Sequence, residues 1–440
     1  MTPAARIQAV IELVGEIERG EQPADVAVSR YARARRYIGG RDRREISTRV
    51  YGLLRRRARL AWRLGEGEAV DARRLVLADL VLSENLGAAE VGALFSGEGY
   101  APAPLEPAES RLSATLAEAA GPEPDWVLAN YPEWLDGELR RRFGTEVVAE
   151  LRALNERAPV DLRVNTLRAS PEKVAAALEA AGMAARPGRW APHCLRLAER
   201  QRIAENPLYR EGAVELQDEA SQIAALFVEP APRNQVVDFC AGAGGKTLAL
   251  AALMGNSGQI YALDQSARRL AGLQPRLARA GVRNVQTRVL KAEREPWLEA
   301  LEGRMDRVLV DAPCSGSGAW RRNPESRWRL DSEGLVKLQA TQLRLLERAA
   351  TLVRPGGRLV YSVCSVLLSE AEDVVASFQA VRPDFDVVPQ AEVWRRALPG
   401  VEGAAGETAP YLLLTPARHG TDGFFVAVLA RREADEGRAS

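Results

Sequence analysis

Histidine occurs only twice in the 440 residues, at His193 and His419, and cysteine only four times, at Cys194, Cys240, Cys314 and Cys364. No two cysteines form a C-x-x-C pair, which argues against a zinc ribbon or an iron–sulfur site. Two isolated histidines do not build a His-based metal centre or a Ser-His-Asp triad, so no metal is expected. Lysine is scarce as well. Only Lys173, Lys246, Lys291 and Lys337 stand among many arginines, so the place of each one carries information. No run of about 18 apolar residues is present, which excludes a membrane-spanning helix. The N-terminal MTPAARIQAVIEL mixes charge into its apolar positions at helical spacing, unlike a signal peptide. Free thiols in such a chain fit a reducing cytoplasm.

What is present is ordinary globular composition, 46% hydrophobic and 27% charged, in a chain too long for one domain. The net charge of +1 conceals an asymmetry. Residues 30–63 hold 13 arginines against Asp42 and Glu45, a local +11 that leaves −10 for the remainder. A sharply basic segment on an otherwise acidic protein reads as a nucleic-acid footprint, with Arg55, Arg56 and Arg57 inside it. The competing reading is a solvated arginine face.

Periodicity divides the chain into three regions. Residues 1–140 read as all-helical: Ile7, Val10, Ile11, Val14 and Ile17 share one helical face. Ile46, Val50, Leu53, Leu54 and Leu60 share another, with arginines opposite. A further helix follows Asp71, and GEGYAPAPLEPAES reads as a linker or long loop. Residues 141–215 read as a small α/β module, with a strand in PVDLRVNTL and a helix capped by Ser170. Residues 216–434 alternate short β-rich runs (QVVDFCA, QIYALD, NVQTRVL, DRVLVDAP, GRLVYSVCS) with helical patterns. That alternation predicts an α/β fold with a mostly parallel sheet covered on both faces. The final FFVAVLARR, with no crossover helix before it, predicts one antiparallel strand. Ligands of such sheets bind at the C-terminal strand ends.

The first of these strands runs into Asp238-Phe-Cys-Ala-Gly-Ala-Gly-Gly-Lys-Thr247. A P-loop needs glycine where Cys240 stands, and a dinucleotide fingerprint needs glycine where Thr247 stands. The remaining option is a cofactor without pyrophosphate, touched by the turn formed by Cys240, Ala241, Gly242, Ala243, Gly244, Gly245 and Lys246. S-adenosylmethionine is the obvious candidate, with Asp264 at the next strand end to bind ribose hydroxyls. Tight packing is the bland explanation of such a turn. The fourth strand ends in Asp311-Ala-Pro-Cys-Ser-Gly-Ser-Gly318 and the fifth in Tyr361-Ser-Val-Cys-Ser365. Cys314 and Cys364 are therefore expected at neighbouring strand ends, beside the cofactor.

These motifs, together with R-R-N-P-E-S-R-W, resemble those of the RsmB-type (Nop/Sun) RNA cytosine-5 methyltransferases. Tyr-Pro-Glu-Trp-Leu135, Leu-Arg-Val-Asn165, Val-Glu-Leu-Gln-Asp-Glu-Ala-Ser221 and Asp-Gly-Phe-Phe425 also stand in the family's order, so the likeness covers residues 130–431. The helical part is weakly similar to a NusB-like RNA-binding domain. The resemblance implies a class I (Rossmann-like) methyltransferase sheet, S-adenosylmethionine as methyl donor and RNA as substrate, rRNA first and tRNA as the alternative. It implies attack by Cys364 on carbon 6 of cytosine, release assisted by Cys314, and stabilisation of the ring by Asp311, which also borders the cofactor. Lys246 would be a compact charge in the site, and Arg321, Arg322 and the 30–63 segment would hold phosphates. Four positions depart from the pattern. Gly242-Ala243 replaces Ala-Pro, Arg327 replaces Lys, and Val363 replaces Thr. Lys291 stands where an acid often meets adenine. Two rival functions are a methyltransferase acting on an amino group, which would leave both cysteines without work, and a non-catalytic RNA-binding assembly factor.

Overall fold

The computed structural model describes residues 1–20, 22–65, 70–118, 121–292, 295–404, 406 and 408–433. Ala434, the last residue of the third sequence region, lies outside them. The chain divides into two compact units, residues 1–156 with 320–332, and residues 157–319 with 333–440.

The first unit is helical. Helix Pro3–Glu18 begins at Thr2, whose hydroxyl accepts a bond from the amide of Ala5 at 3.1 Å. It buries Ile7, Val10, Val14 and Ile17, while Ile11 is half-buried. Helices Gly40–Leu54 and Arg57–Arg63 bury Ile46, Val50, Leu53, Leu54 and Leu60 against the same core. Asp71 caps helix Ala72–Leu82. The stretch GEGYAPAPLEPAES is a loop only as far as Glu106, because Pro107 opens helix Pro107–Thr115. Both its flanks belong to one unit, so it is not an interdomain linker. The helical region also runs past 140. Helix Asp136–Phe143 spans that position, and Leu139, Phe143, Val147, Leu151 and Leu154 keep burying one face. The run Arg140–Arg142 masks that phase in the sequence. Segment 320–332 completes this unit. There the buried Arg327 guanidinium donates to the carbonyls of Asn130 and Leu154 and stacks 4.9 Å from the Trp320 ring centre. Burial presses its pKa down to about 9.

The second unit holds two sheets. The small one is antiparallel and contains β1 (Asp161–Val164), β2 (Ala185–Pro187), β3 (Cys194–Leu197) and β4 (Val214–Leu216), in the order β2-β3-β1-β4. Helix Pro171–Ala180, capped by Ser170, lays Val174 and Leu178 on its apolar face.

The large sheet contains β5 (Gln235–Asp238), β6 (Gln259–Asp264), β7 (Val285–Val289), β8 (Met305–Asp311), β9 (Val353–Val363), β10 (Phe385–Val388), β11 (Leu412–Leu414) and β12 (Phe424–Arg431). Their order is β10-β12-β9-β8-β5-β6-β7, with β11 added on β12. Strands β5 to β9 pair in parallel, and β12 runs antiparallel to β9, β10 and β11. This is the class I, Rossmann-like methyltransferase sheet. Its central strands read as apolar runs because both faces are covered: on β8, Leu309 packs into one core, Val308 and Val310 into the other. Among the described residues no helix is long and apolar enough to cross a membrane.

Candidate active site

Strand β5 lies between β6 and β8, the switch point where a doubly wound sheet opens a crevice at its C-terminal edge. The glycine-rich turn stands there. Ala241 donates to the Leu263 carbonyl and Gly244 to the Ala241 carbonyl, each at 2.8 Å. Gly244 is left-handed (φ +83°), and a Cβ on it would lie 2.1 Å from Leu273 Cδ1. Gly242 is also left-handed (φ +55°), but a Cβ there would meet no described atom within 4 Å. Arg163 and Arg276 brace the turn from outside, donating to the Gly245 and Ala243 carbonyls at 2.6 and 2.5 Å. The Cys240 side chain packs against the core and burial pushes its thiol pKa up, so this residue offers the site its backbone. Asp264 ends β6 and accepts from the Gly242 amide at 2.8 Å and the Ser266 amide at 2.7 Å. A pinned backbone, open space over Gly242 and a carboxylate one strand away fit a nucleoside held by its ribose.

Asp238 lies beneath the turn, buried. One oxygen accepts from Thr247 at 2.7 Å and the other has no partner among the described residues. Burial raises its pKa to about 7, against the Thr247 hydrogen bond, which lowers it.

The parallel register pairs Asp311 on β8 with Ser362 on β9. Cys314 and Cys364 therefore leave neighbouring strands at nearly the same height, and their sulfurs are 3.4 Å apart. The hydrogen bond with Cys364, and then burial, hold the Cys314 thiol well above its usual pKa. Lys246 Nζ is 2.8 Å from Asp311 Oδ2 and 4.8 Å from the Phe424 ring centre. Ser362 donates to Asp311 Oδ1 at 3.1 Å. Lys246 is thus both the partner of an acid and a charge within the site.

Sequence reasoning missed the buried residues behind the thiols. Glu370 accepts from the Ser315 amide at 2.8 Å, the Ser365 hydroxyl at 2.6 Å, the Gln342 side chain at 3.1 Å and the Ser315 hydroxyl. The available signal was the Cys-Ser dipeptide repeated at 314–315 and 364–365.

The arginine triplet needs correction. Arg56 is chelated by Asp79 at 2.8 to 3.1 Å. Arg57 is buried, bonded to Glu18 at 2.6 to 2.9 Å and stacked 4.6 Å from the Trp328 ring centre. Arg55 donates to the carbonyls of Tyr51 and Arg321, and Arg321 is itself buried. Arg322 lies half-buried in the same segment. These groups are committed inside the helical unit. The exposed arginines of the basic segment are Arg30 and Arg59, paired with Glu16 and Glu123, and a group of five, Arg33, Arg36, Arg41, Arg43 and Arg44, around the exposed Tyr37. Lys291 is exposed after β7. The acid beside it is Glu295, whose carboxylate accepts from the Trp297 indole and from the amides of Ala292 and Lys291, which hold its pKa down.

Residues 225–430 match the family described as 16S rRNA methyltransferase RsmB/F, and residues 131–204 match the ferredoxin-like domain of RsmF/B-like methyltransferases. A probable ribosomal RNA small subunit methyltransferase B of Synechocystis is 32% identical over 306 residues, 69% of this chain and 67% of that protein. The ribosomal RNA small subunit methyltransferase B of Citrobacter koseri is 31% identical over 325 residues, 74% of this chain and 71% of that one. The solved structure of PH0851 covers 98% of this chain and 99% of its own, with 29% identity and a TM-score of 0.76.

Proposed function

Because the chain belongs to the RsmB/F family of RNA methyltransferases, whose methyl donor is S-adenosylmethionine, we propose that it methylates carbon 5 of a cytosine in small-subunit rRNA. The observation that carries this reading is the pair of thiols 3.4 Å apart at the edge of the sheet that holds the glycine turn. Amino-group methylation has no use for such a pair. The rRNA assignment rests on the names of the relatives.

Carbon 5 of cytosine is a weak nucleophile. A thiolate added to carbon 6 converts the ring to an enamine, and the electrons of the former 5,6 double bond become available at carbon 5. The bound cofactor supplies the electrophilic methyl group. We assign the attack to Cys364. That assignment follows the family resemblance, which gives attack to Cys364 and release to Cys314; the sulfurs lie 3.4 Å apart, so both can reach one ring. Cys314, beside the same ring, would give its proton to solvent and then take the carbon 5 proton after transfer. The carbon–hydrogen electrons then restore the 5,6 double bond and the carbon 6–sulfur pair leaves on Cys364. Asp311 would face the ring while Lys246 and Ser362 fix its carboxylate. The cofactor would lie along Cys240–Lys246 with its ribose on Asp264.

The two cysteines should fail differently. Cys364→Ala should abolish methylation and adduct formation. Cys314→Ala should permit transfer but accumulate a protein–RNA adduct that survives denaturing electrophoresis and vanishes in the double variant. An active Cys364→Ala enzyme would sink the proposal. Bisulfite sequencing of rRNA and tRNA from cells with and without the gene would identify the substrate.

A further inference from the structure

We propose that Glu370 is a positioning residue for both thiols, with a single buried carboxylate setting the distance between Cys314 and Cys364. The proposal rests on the reading that both cysteines act on one cytosine ring. Glu370 is fully buried, and its partners given above are all neutral donors. Among the described residues no cation is paired with it, and a buried carboxylate without one is costly and is retained only with its hydrogen bonds satisfied.

Those donors are placed where they matter. Ser315 follows Cys314 and Ser365 follows Cys364, so each thiol is one residue away from a group bound to the same carboxylate. Oε1 takes the Ser315 amide and the Gln342 side chain, and Oε2 takes the two serine hydroxyls. Gln342 also donates to the Pro313 carbonyl at 3.0 Å and fixes the residue before Cys314. Ser317 and Ser365 lie 2.9 Å apart, and Gly318 donates to the Cys364 carbonyl at 3.0 Å. The Glu370 carbonyl accepts from Tyr361 on β9 at 2.6 Å, which ties the clamp to the sheet. Neither strand fixes the thiol separation by itself, since both cysteines lie beyond the last ladder pair.

The separation can be read without RNA. Phenylarsine oxide bridges two thiols only when they lie close together, and capture is assigned to this pair by its loss in Cys364→Ala. The wild type should capture one arsenical at the pair. Glu370→Gln should keep that rate within about twofold: its carbonyl accepts from Ser315 and Gln342, and its amide donates to hydroxyls that can rotate. Glu370→Ala should slow capture at least tenfold, at unchanged S-adenosylmethionine affinity. Ser365→Ala should slow adduct formation with RNA, and Ser315→Ala should instead make the adduct persist. Those two variants carry the test if Glu370→Ala does not fold. Unchanged capture in Glu370→Ala, equal losses in the Ala and Gln variants, or two silent serine variants would overturn the assignment. Capture needs neither methyl transfer nor RNA. Its loss in Glu370→Ala beside an active Cys364→Ala enzyme would therefore refute the cysteine mechanism and leave the clamp standing.

Discussion

At the scale of single residues the site is a set of carboxylates with different hydrogen-bond partners. Asp264 has both oxygens on backbone amides, so it shapes the turn beside which the proposed ribose site lies. Asp264→Ala should weaken S-adenosylmethionine binding by about 1–3 kcal/mol, and Asp264→Asn, which keeps one acceptor, by less. Calorimetry showing equal affinity in folded Asp264→Ala would remove it from the site. Asp238 is buried, with one oxygen bonded to Thr247 and the other without a partner among the described residues. Its pKa is raised to about 7, so the folded state holds this proton more tightly than the unfolded chain. The stability it contributes is full below the ordinary carboxylate pKa and is lost as pH rises from about 4 to about 7. Urea unfolding at pH 5 and pH 8 should show a smaller difference for Asp238→Asn than for wild type. The paired cysteines and Asp264 were legible in sequence because strand ends and spacing place them. Arg57 was misread because its partner Glu18 lies on another helix, and helical phase alone cannot show that. The repeated Cys-Ser pair pointed at Ser315 and Ser365, but nothing local tied them to Glu370, whose partners come from three separate segments.

At the scale of elements, legibility followed length and burial. The long apolar runs of β6, β8, β9 and β12 were readable, as were the caps at Ser170 and Asp71. Strands β10 and β11, four and three residues long, were not; β5 is as short as β10 but was legible through the glycine motif that follows it. The glycine turn separates two requirements that the sequence shows as one motif. Gly244 needs its positive φ and also the room that Leu273 occupies. Gly244→Ala should therefore cost stability, about 2–5 kcal/mol from the left-handed backbone and overpacking together. Gly242 needs only the backbone conformation, because space lies over it. Gly242→Ala should cost about 1–2 kcal/mol of stability, yet reduce cofactor affinity by more than Gly244→Ala does relative to its stability loss. Chemical unfolding and calorimetry on both variants would check this. Equal affinity losses scaled to stability would mean that the open space over Gly242 is not where the cofactor lies.

At the scale of the whole molecule, the charge asymmetry is real but partly spent inside. The basic segment divides into an inner set, Arg55 to Arg57, that bonds within the helical unit, and an outer set at 33–44 that faces water beside Tyr37. The same unit also contains residues 320–332, a thirteen-residue excursion of the chain that follows the Cys314 loop directly. Charge reversal should tell the two sets apart. Arg55, Arg56 and Arg57 changed to Glu should unfold the helical unit, since breaking the buried Arg57–Glu18 pair alone costs about 3–5 kcal/mol. Loss of RNA binding in that variant would say nothing about phosphates. Arg36, Arg41 and Arg44 changed to Glu should leave stability within about 0.5 kcal/mol per site. It should flatten the dependence of RNA affinity on salt, by about 0.7 in the log–log slope for each single-strand phosphate released. Tyr37→Ala should lower affinity by about 1–3 kcal/mol at an unchanged slope, as expected for a lost stacking platform. Filter binding across a potassium chloride series, with urea unfolding as the control, measures all three. An identical slope in the well-folded outer variant would take this surface out of the RNA interface and leave the outer arginines as a solvated face.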